Sequence, residues 1–299
     1  MKNDVKILNG DNMSSNKDKV CLVLEGGAMR GIYSAGVIDV FLKKGIEVDA
    51  IIGTSAGALF GINYVSKQKE RVLRYNKHYC KRKDYMGLYS LITTGNIMNK
   101  DFCFKNLVYE LDPFDFKTFS ESKTKFYATV TNLETGEAEY PQIKDFESDQ
   151  EYLRASGSMP LVSKIVEIEN KKYLDGGIAD SIPVQKALDM GYGKVIVVTT
   201  RPIEYRKKKS ALWPYKLLYK EYPKFIDKVS KRYQEYNNTV ENIINLEKDE
   251  KIFVIRPTKV VKISKIEKNP ARIEEQYRVG YNDALEKLES LQKYLNKEL

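Results

Sequence analysis

The sequence predicts an α/β fold in which a mostly parallel central sheet is flanked by helices, with a helical extension at the C-terminus. Two short apolar runs, residues 20–24 and 48–52, each end at glycine, and a segment with helical spacing follows each of them. This order of strand, turn and helix is typical of parallel sheets with crossover helices. Hydrophobic residues make up 42% of the 299 residues, which is enough for a sizeable core and excludes a disordered or fibrous chain.

The remaining elements follow from the same patterns along the chain. Helical spacing predicts helices over residues 37–42 (ended by Gly45), 56–65, 67–82, 151–156 (closed off by Pro160), 183–190 and 271–295. Residue content predicts strands over 126–132, 194–200 and 252–255, and a hairpin over 165–174 that turns near Glu169 and Asn170. We therefore expect a polar leader over residues 1–19, a core over 20–200, and a helical extension over 201–299 that contains one returning strand and packs on the same domain.

Composition excludes several classes of protein. No run approaches the ~18 consecutive apolar residues of a membrane-spanning helix, so an integral membrane protein is not expected. The polar leader lacks the apolar core of a secretory signal, which predicts a cytoplasmic protein. Cys21, Cys80 and Cys103 are too few and too scattered for a disulfide framework or a cysteine-based zinc site.

The pattern Gly53-Thr54-Ser55-Ala56-Gly57 stands between a predicted strand and a predicted helix. It matches the nucleophile elbow G-x-S-x-G in the strand–turn–helix context that this motif requires. The flanking glycines let the backbone turn sharply, which presents the serine hydroxyl at a helix N-terminus. Ser55 is therefore the candidate nucleophile, and the alternative is a tight turn with an incidental serine.

A second glycine-rich turn, Gly26-Gly27-Ala28-Met29-Arg30-Gly31, directly follows the first strand. It is not a P-loop, because Gly31 is not followed by Lys and Ser or Thr. A dinucleotide fingerprint would need glycine where Ala28 stands, although Asp49 lies at a suitable distance along the chain for a ribose partner. The third interpretation is an oxyanion loop that serves Ser55 through its exposed backbone N–H groups.

The base that would activate Ser55 is not expected to be histidine. His78, the single histidine, lies in a basic stretch, and a triad that used it would have the chain order Ser, His, Asp, unlike α/β-hydrolases. A carboxylate or a lysine is then expected. Asp175 is the best candidate because it ends a predicted strand and is followed by Gly176 and Gly177, which add no side-chain bulk; an ordinary Asp-Gly turn is the alternative.

These three motifs, in this order, resemble those of the patatin-like phospholipase family. The segment 154–160, Arg-Ala-Ser-Gly-Ser-Met-Pro, also resembles the stretch that precedes the aspartate in bacterial members. The resemblance covers about residues 20–201 and implies a three-layer fold and a lipid acyl hydrolase with a Ser-Asp dyad, in which Ser55 is the nucleophile and Asp175 the base. It further implies an oxyanion hole from backbone amides near Gly27, Ala28 and Met29, with Arg30 as the basic residue of the loop.

One position departs from the family pattern. The loop usually carries a third glycine where this chain has Ala28. Alanine keeps the backbone N–H, but a positive φ at this position would be unusual for it.

We therefore expect a serine hydrolase of lipid or phospholipid esters that uses no metal and no organic cofactor. Two alternatives remain open from the sequence. One is a nucleotide-binding protein that uses the Gly26 turn, and the other is a membrane-surface protein that keeps the fold without activity.

Positive charge is concentrated in one segment. Of the net charge of +9, residues 201–232 contribute eleven Lys and Arg against three Asp and Glu, together with the single tryptophan, Trp213. We interpret this basic segment as a contact with an anionic membrane surface, at the inner face of the membrane if the protein is cytoplasmic. Nucleic acid is the less favoured anion, and a helical cap over the active site with inward-packed aromatics is the third interpretation.

Overall fold

A computed structural model describes residues 16–297, so that residues 1–15 of the predicted leader and residues 298–299 lie outside the described residues. Within the described part, nine strands form one sheet. They are β1 (Val20–Leu24), β2 (Ala50–Thr54), β3 (Lys125–Asn132), β4 (Ala138–Glu139), β5 (Gln142–Ile143), β6 (Val166–Ile168), β7 (Lys171–Asp175), β8 (Lys194–Val198) and β9 (Phe253–Ile255).

Helices cover both faces of this sheet. They are α1 (Ile32–Lys44), α2 (Ala56–Val65), α3 (Arg71–Tyr79), α4 (Leu88–Thr94), α5 (Phe116–Glu121), α6 (Phe146–Gly157), α7 (Val184–Asp189), α8 (Trp213–Leu218), α9 (Pro223–Lys248), α10 (Pro270–Glu286) and α11 (Leu288–Asn296). Short 3₁₀ turns at Ala28–Gly31 and Gly176–Ile178 and a π-helical stretch at Phe102–Leu111 complete the described elements.

The centre of the sheet is parallel and one edge is antiparallel. The strand order is β6-β7-β3-β2-β1-β8-β9, in which β3, β2, β1, β8 and β9 run parallel to one another. Strand β7 pairs antiparallel with β3 and forms the predicted hairpin with β6, whose turn holds Glu169 and Asn170 at positive φ. The predicted mostly parallel sheet is therefore confirmed.

Strand β1 shows why the fold has three layers. Its residues Leu22 and Leu24 pack into a core cluster with α1, α2 and α6, whereas Cys21 and Val23 pack into a second cluster with α7 and α9. Successive side chains of a strand point to opposite faces, so both faces of β1 need a helical layer. The predicted flanking of the sheet by helices is confirmed.

The C-terminal helix α10 packs on α1 of the core with close contact between the two backbones. A Cβ atom at Gly280 of α10 would lie 2.0 Å from the carbonyl oxygen of Tyr33, and one at Gly36 of α1 would lie 2.3 Å from that of Tyr277. The hydroxyl of Tyr33 donates a hydrogen bond of 3.0 Å to Asp283. Only glycine allows two helices to approach so closely.

Several helix predictions differ from the structure. Helix α6 begins five residues earlier than predicted, where Asp145 caps its N-terminus by accepting a hydrogen bond from the Ser148 amide. The predicted helix over 271–295 is two helices that meet at Lys287, although no proline or glycine marks the break. Helix α3 covers only the middle of residues 67–82, and no helix among residues 16–297 is both long and apolar enough to cross a bilayer.

Candidate active site

The nucleophile elbow lies at the sharp turn from β2 into α2. Ser55 occupies this turn with φ 54° and ψ −121°, a conformation that side-chain-bearing residues rarely adopt and that is found at functional sites. Its backbone N–H donates a 2.9 Å hydrogen bond to the Ser156 hydroxyl. A Cβ atom at Gly57 would lie 2.4 Å from the Leu24 carbonyl oxygen, so glycine is required where α2 passes over β1.

Ser55 and Asp175 are in direct contact, although 120 residues separate them along the chain. The Ser55 hydroxyl donates a 2.6 Å hydrogen bond to Oδ2 of Asp175. The other carboxylate oxygen accepts a 2.7 Å hydrogen bond from the Gly177 amide, and the Thr131 hydroxyl donates to the Asp175 carbonyl at 2.8 Å. The carboxylate is thus fixed in orientation toward the serine. Thr131 had no recognisable signal in the sequence.

The electrostatic surroundings of Asp175 suit a proton acceptor. Burial raises the pKa of its carboxyl above the ordinary value, while the hydrogen bonds from Ser55 and Gly177 oppose that rise. The positive charges of Arg232 and Lys207 also lower this pKa. Because burial is the largest of these effects, the Asp175 carboxylate is a stronger base than a solvated one.

The glycine-rich turn borders the same cavity as the dyad. Gly26, Gly27, Ala28 and Arg30 line that cavity with Ser55 and Asp175. Ala28 has φ 48°, so this position does require the left-handed conformation in which alanine is unusual. Among the described residues, no acceptor takes a hydrogen bond from the amides of Gly27, Ala28 and Met29. Donors without partners beside a nucleophile can stabilise an oxyanion.

The structure separates two other sequence candidates from this cavity. Asp49 accepts a 2.8 Å hydrogen bond from the Val20 amide, at the end of β1 opposite the glycine-rich turn. It therefore cannot be the ribose partner of a nucleotide on that turn, which removes the main support for the dinucleotide interpretation. His78 is exposed on α3, against Tyr79, and lines neither of the cavities described below.

The cavity over the dyad is polar, with a volume of about 740 Å³. Two carboxylates line it, those of Glu25 and Asp175, against five cationic side chains. We call these five the cavity cations, and they are Arg30, Arg201, Lys207, Arg232 and Lys265.

Sequence reasoning missed most of the cavity cations. Arg201, Lys207 and Arg232 belong to the basic segment, whose charge excess was visible, but the structure turns these three toward the dyad instead of an outer surface. Lys265 lies in the loop between β9 and α10 and had no sequence signal. Of the aromatic residues in the basic segment, Tyr219 and Phe225 pack inward, whereas Trp213 is exposed. The helical-cap interpretation thus describes part of this segment.

A second cavity of about 880 Å³ is mainly apolar. Residues of α2, α6 and the π-helical stretch line it, including Leu59, Leu107 and Leu153. Gly157 and Ser158 border this apolar cavity, and the next two residues, Met159 and Pro160, border the polar one. A short piece of chain therefore separates the two cavities.

No group of three His, Cys, Asp or Glu side chains in residues 16–297 is arranged to hold a metal ion. The three cysteines are free thiols, and burial raises the pKa of Cys21 and Cys103 above the ordinary range.

Two family models match the chain. One is described as "Patatin-like phospholipase" and matches residues 22–188, which is more than half of the chain. The other is described as "Domain of unknown function (DUF6363)" and matches residues 222–296. The second match covers the whole of α9, α10 and α11.

Curated relatives match between 62% and 64% of the chain. The uncharacterized protein YjjU of Escherichia coli is 28% identical over 189 residues, which are 62% of this chain and 52% of YjjU. Lysophospholipase nte1 of Aspergillus niger is 29% identical over 200 residues, 62% of this chain and 12% of that protein. Lysophospholipase NTE1 of Saccharomyces cerevisiae is 28% identical over 217 residues, 64% of this chain and 12% of that protein. The chain thus spans about half the length of YjjU and a much smaller part of the two lysophospholipases.

Among solved structures, VipD from Legionella pneumophila matches 91% of this chain and 67% of its own with a TM-score of 0.44 and 15% identity. The family match stands on the sequence model, which spans the glycine-rich turn, the elbow and the Asp-Gly-Gly motif. This chain belongs to the patatin-like phospholipase family.

Proposed function

We propose that this protein is a serine acyl hydrolase that cleaves carboxylic esters of lipids with a Ser55–Asp175 dyad. The observation that carries the proposal is the 2.6 Å hydrogen bond from Ser55 to the buried carboxylate of Asp175, inside a cavity bordered by the glycine-rich turn. The names of the two fungal relatives, both lysophospholipases, support a lipid ester as the substrate.

The reaction follows from the positions of these groups. The Ser55 oxygen attacks the ester carbonyl carbon while Asp175 accepts the hydroxyl proton. The negative charge that develops on the carbonyl oxygen is stabilised by backbone amides of Gly27, Ala28 and Met29. Collapse of this intermediate breaks the ester bond, and the alcohol leaves with the proton from Asp175. Water then attacks the acyl-serine while Asp175 accepts its proton, and collapse of this second intermediate breaks the acyl–serine bond, releases the fatty acid and returns the proton to Ser55.

The apolar cavity is proposed to hold the acyl chain. Its lining of leucine, phenylalanine and valine side chains favours a hydrocarbon over water, at about 0.8 kcal/mol per buried methylene. It lies one short segment away from the polar cavity, so an ester that reacts at Ser55 can direct its two ends into different surroundings.

A fluorophosphonate probe tests the proposed nucleophile. We expect one covalent adduct, mapped by mass spectrometry to Ser55, and its loss in Ser55→Ala. An unlabelled protein that also fails to hydrolyse a short-chain ester would instead support the interpretation as an inactive membrane-surface protein. Bound nucleotide in the purified protein would support the nucleotide-binding interpretation.

We further infer that the protein binds the surface of an anionic bilayer through α4 and α8. Three apolar side chains are exposed on each helix: Leu88, Tyr89 and Ile92 on α4, and Trp213, Leu217 and Leu218 on α8. Both helices flank residues 159–165, because the Ile97 amide bonds to the Val162 carbonyl and the Leu161 amide bonds to the Tyr219 hydroxyl.

A bilayer is the occupant that fits this surface. Exposed tryptophan and leucine insert at the level of the lipid headgroups, and exposed lysines next to α8 suit an anionic leaflet, since each contributes about 1 kcal/mol there. These lysines are Lys208, Lys209, Lys216 and Lys220. Lys207, which we expected in the same contact, lines the polar cavity instead.

A further inference from the structure

The cavity cations have no carboxylate partners. Within residues 16–297, none of the five forms an ion pair. Some other basic residues of the extension are paired: Arg206 with Glu241, and Lys228 with Glu137 at 3.3 Å. Unpaired charges in a half-enclosed cavity are costly unless a counter-charge binds there.

The two carboxylates in the cavity already accept hydrogen bonds from other groups. Glu25 accepts hydrogen bonds from the Thr200 amide and hydroxyl and, at 2.8 Å, from the Tyr236 hydroxyl. Asp175 is bonded to Ser55 and Gly177. The cavity therefore carries an excess of positive charge that can bind an anion.

Several donors of the cations are also unused. Nε of Arg30 is buried and has no hydrogen-bond partner among the described residues. Nζ of Lys207 makes one long contact, 3.4 Å to the Ser181 hydroxyl, and lies over the Tyr236 ring. Arg232 uses Nε for the Gly177 carbonyl at 2.5 Å, and its other nitrogens form no hydrogen bond within the described residues.

The cavity cations also lower one another's pKa values. Burial first, and then repulsion from neighbouring cations, lowers the pKa values of Arg30, Lys207 and Lys265. For Lys207 the lowered pKa is about 7, and the repelling groups are Arg232 and Arg30. A bound anion would offset this repulsion, and five cations around one cavity suit a group with more than one negatively charged oxygen.

We propose that the cavity cations bind the phosphate group of the ester substrate, so that the enzyme selects phosphate-bearing lysolipids over neutral esters. This inference rests on the proposed function and adds the residues that recognise the phosphate group. Four of the five cations, Arg201, Lys207, Arg232 and Lys265, come from the part of the chain that follows the family match at residue 188. The extension thus determines specificity at a site whose reacting groups belong to the core.

Paired substrates test this selection. We expect kcat/KM for lysophosphatidic acid to exceed that for the monoacylglycerol with the same acyl chain by at least about tenfold, the loss expected for one charge-assisted hydrogen bond. Lys265→Met should lower this ratio about tenfold. Lys262→Met is the matched control, because Lys262 and Lys265 are both exposed in the same loop but only Lys265 lines the cavity. A ratio near one in the unaltered protein, or an unchanged ratio in Lys265→Met, would overturn the inference.

A binding measurement separates this inference from the proposed function. Calorimetry with glycerol 3-phosphate and with inorganic phosphate requires no hydrolysis and can be done on the Ser55→Ala protein. We expect glycerol 3-phosphate to bind and the affinity to fall about tenfold in Lys265→Met. Tighter binding of inorganic phosphate than of glycerol 3-phosphate would mean that the site serves the free ion, and absence of binding would overturn the inference even if esters are hydrolysed.

Discussion

The two sides of the polar cavity are built in different ways. On the core side, Ser55 and Asp175 are 7% and 6% exposed and are held by hydrogen bonds from the backbone and from Thr131. On the extension side, Lys207, Arg232 and Lys265 are long side chains without ion pairs. Groups that must react need one fixed geometry, whereas groups that recognise charge tolerate small displacements. The proposed chemistry thus belongs to the core and the proposed selection of substrate to the extension.

The largest effect is expected on the core side. Ser55→Ala and Asp175→Asn should each lower kcat for a short-chain ester by about three orders of magnitude or more, because each residue acts only with the other. The two losses should not add in the double variant. Ser120→Ala, an exposed serine on α5, is the control and should keep full activity. An active Asp175→Asn protein would break the assignment of chemistry to this dyad.

The next effect concerns the apolar cavity. Cys103 lines this cavity and is only partly buried. Cys103→Phe should therefore narrow the cavity and shift the preferred acyl chain to shorter lengths. The ratio of kcat/KM for a long chain to that for a short chain should fall about tenfold. Cys103→Ala, which enlarges the cavity, is the matched comparison. Equal chain-length profiles in both variants would mean that the acyl chain lies elsewhere, and thermal unfolding checks that both proteins fold.

A smaller effect is expected from pH on the extension side. Lys207 is charged below its pKa of about 7 and loses its charge as the pH rises through that value, so selection of an anionic substrate should weaken above pH 7. The charged groups that face Lys207 are Arg30, Arg232, Glu25 and Asp175. The measurement is the ratio of kcat/KM for lysophosphatidylglycerol to that for monoacylglycerol between pH 6 and pH 9, in which titration of Asp175 cancels.

The matched variant for this pH experiment is Lys207→Arg, which keeps its charge throughout the range. Its ratio should stay constant with pH. A ratio that falls equally in both proteins would assign the pH dependence to another group.

A weaker effect is expected at the proposed membrane surface. Replacement of Trp213 and Leu217 by serine should reduce co-sedimentation with anionic vesicles several-fold, because each apolar side chain contributes about 1.5–3 kcal/mol when fully buried and these two are 71% and 68% exposed in the free protein. Hydrolysis of a water-soluble ester should be unchanged. Equal sedimentation with neutral and anionic vesicles, or none with either, would contradict the anionic bilayer as partner.

The smallest effect is expected for His78→Ala. This side chain is exposed on α3 and lines neither cavity, so activity and its pH profile should match those of the unaltered protein. Loss of activity in this variant would support histidine as the base and contradict the proposal that the Ser55–Asp175 dyad of the core carries the chemistry.

The core side of the polar cavity could be predicted from the sequence more fully than the extension side. The strand β1, the elbow at Ser55 and the hairpin that ends at Asp175 were predictable, because each depends on a local requirement: an apolar run, a sharp turn with glycine, or a turn between short strands. The contact between Ser55 and Asp175 was expected only through the order of the motifs.

The extension was predictable only in composition. Its charge excess and its aromatic residues are properties of the sequence, but the direction of Lys207 into the cavity depends on how α9 packs on the sheet, through Tyr236 against Val197 and its neighbours. Lys265 borders the cavity from the loop that precedes α10, a helix that packs on α1 at Gly280 and Gly36, far away along the chain. The sequence by itself determined which chemical groups were present and which local turns could form. Only the tertiary structure decided which cations meet the dyad, because side-chain direction on a surface helix or loop is set by long-range packing.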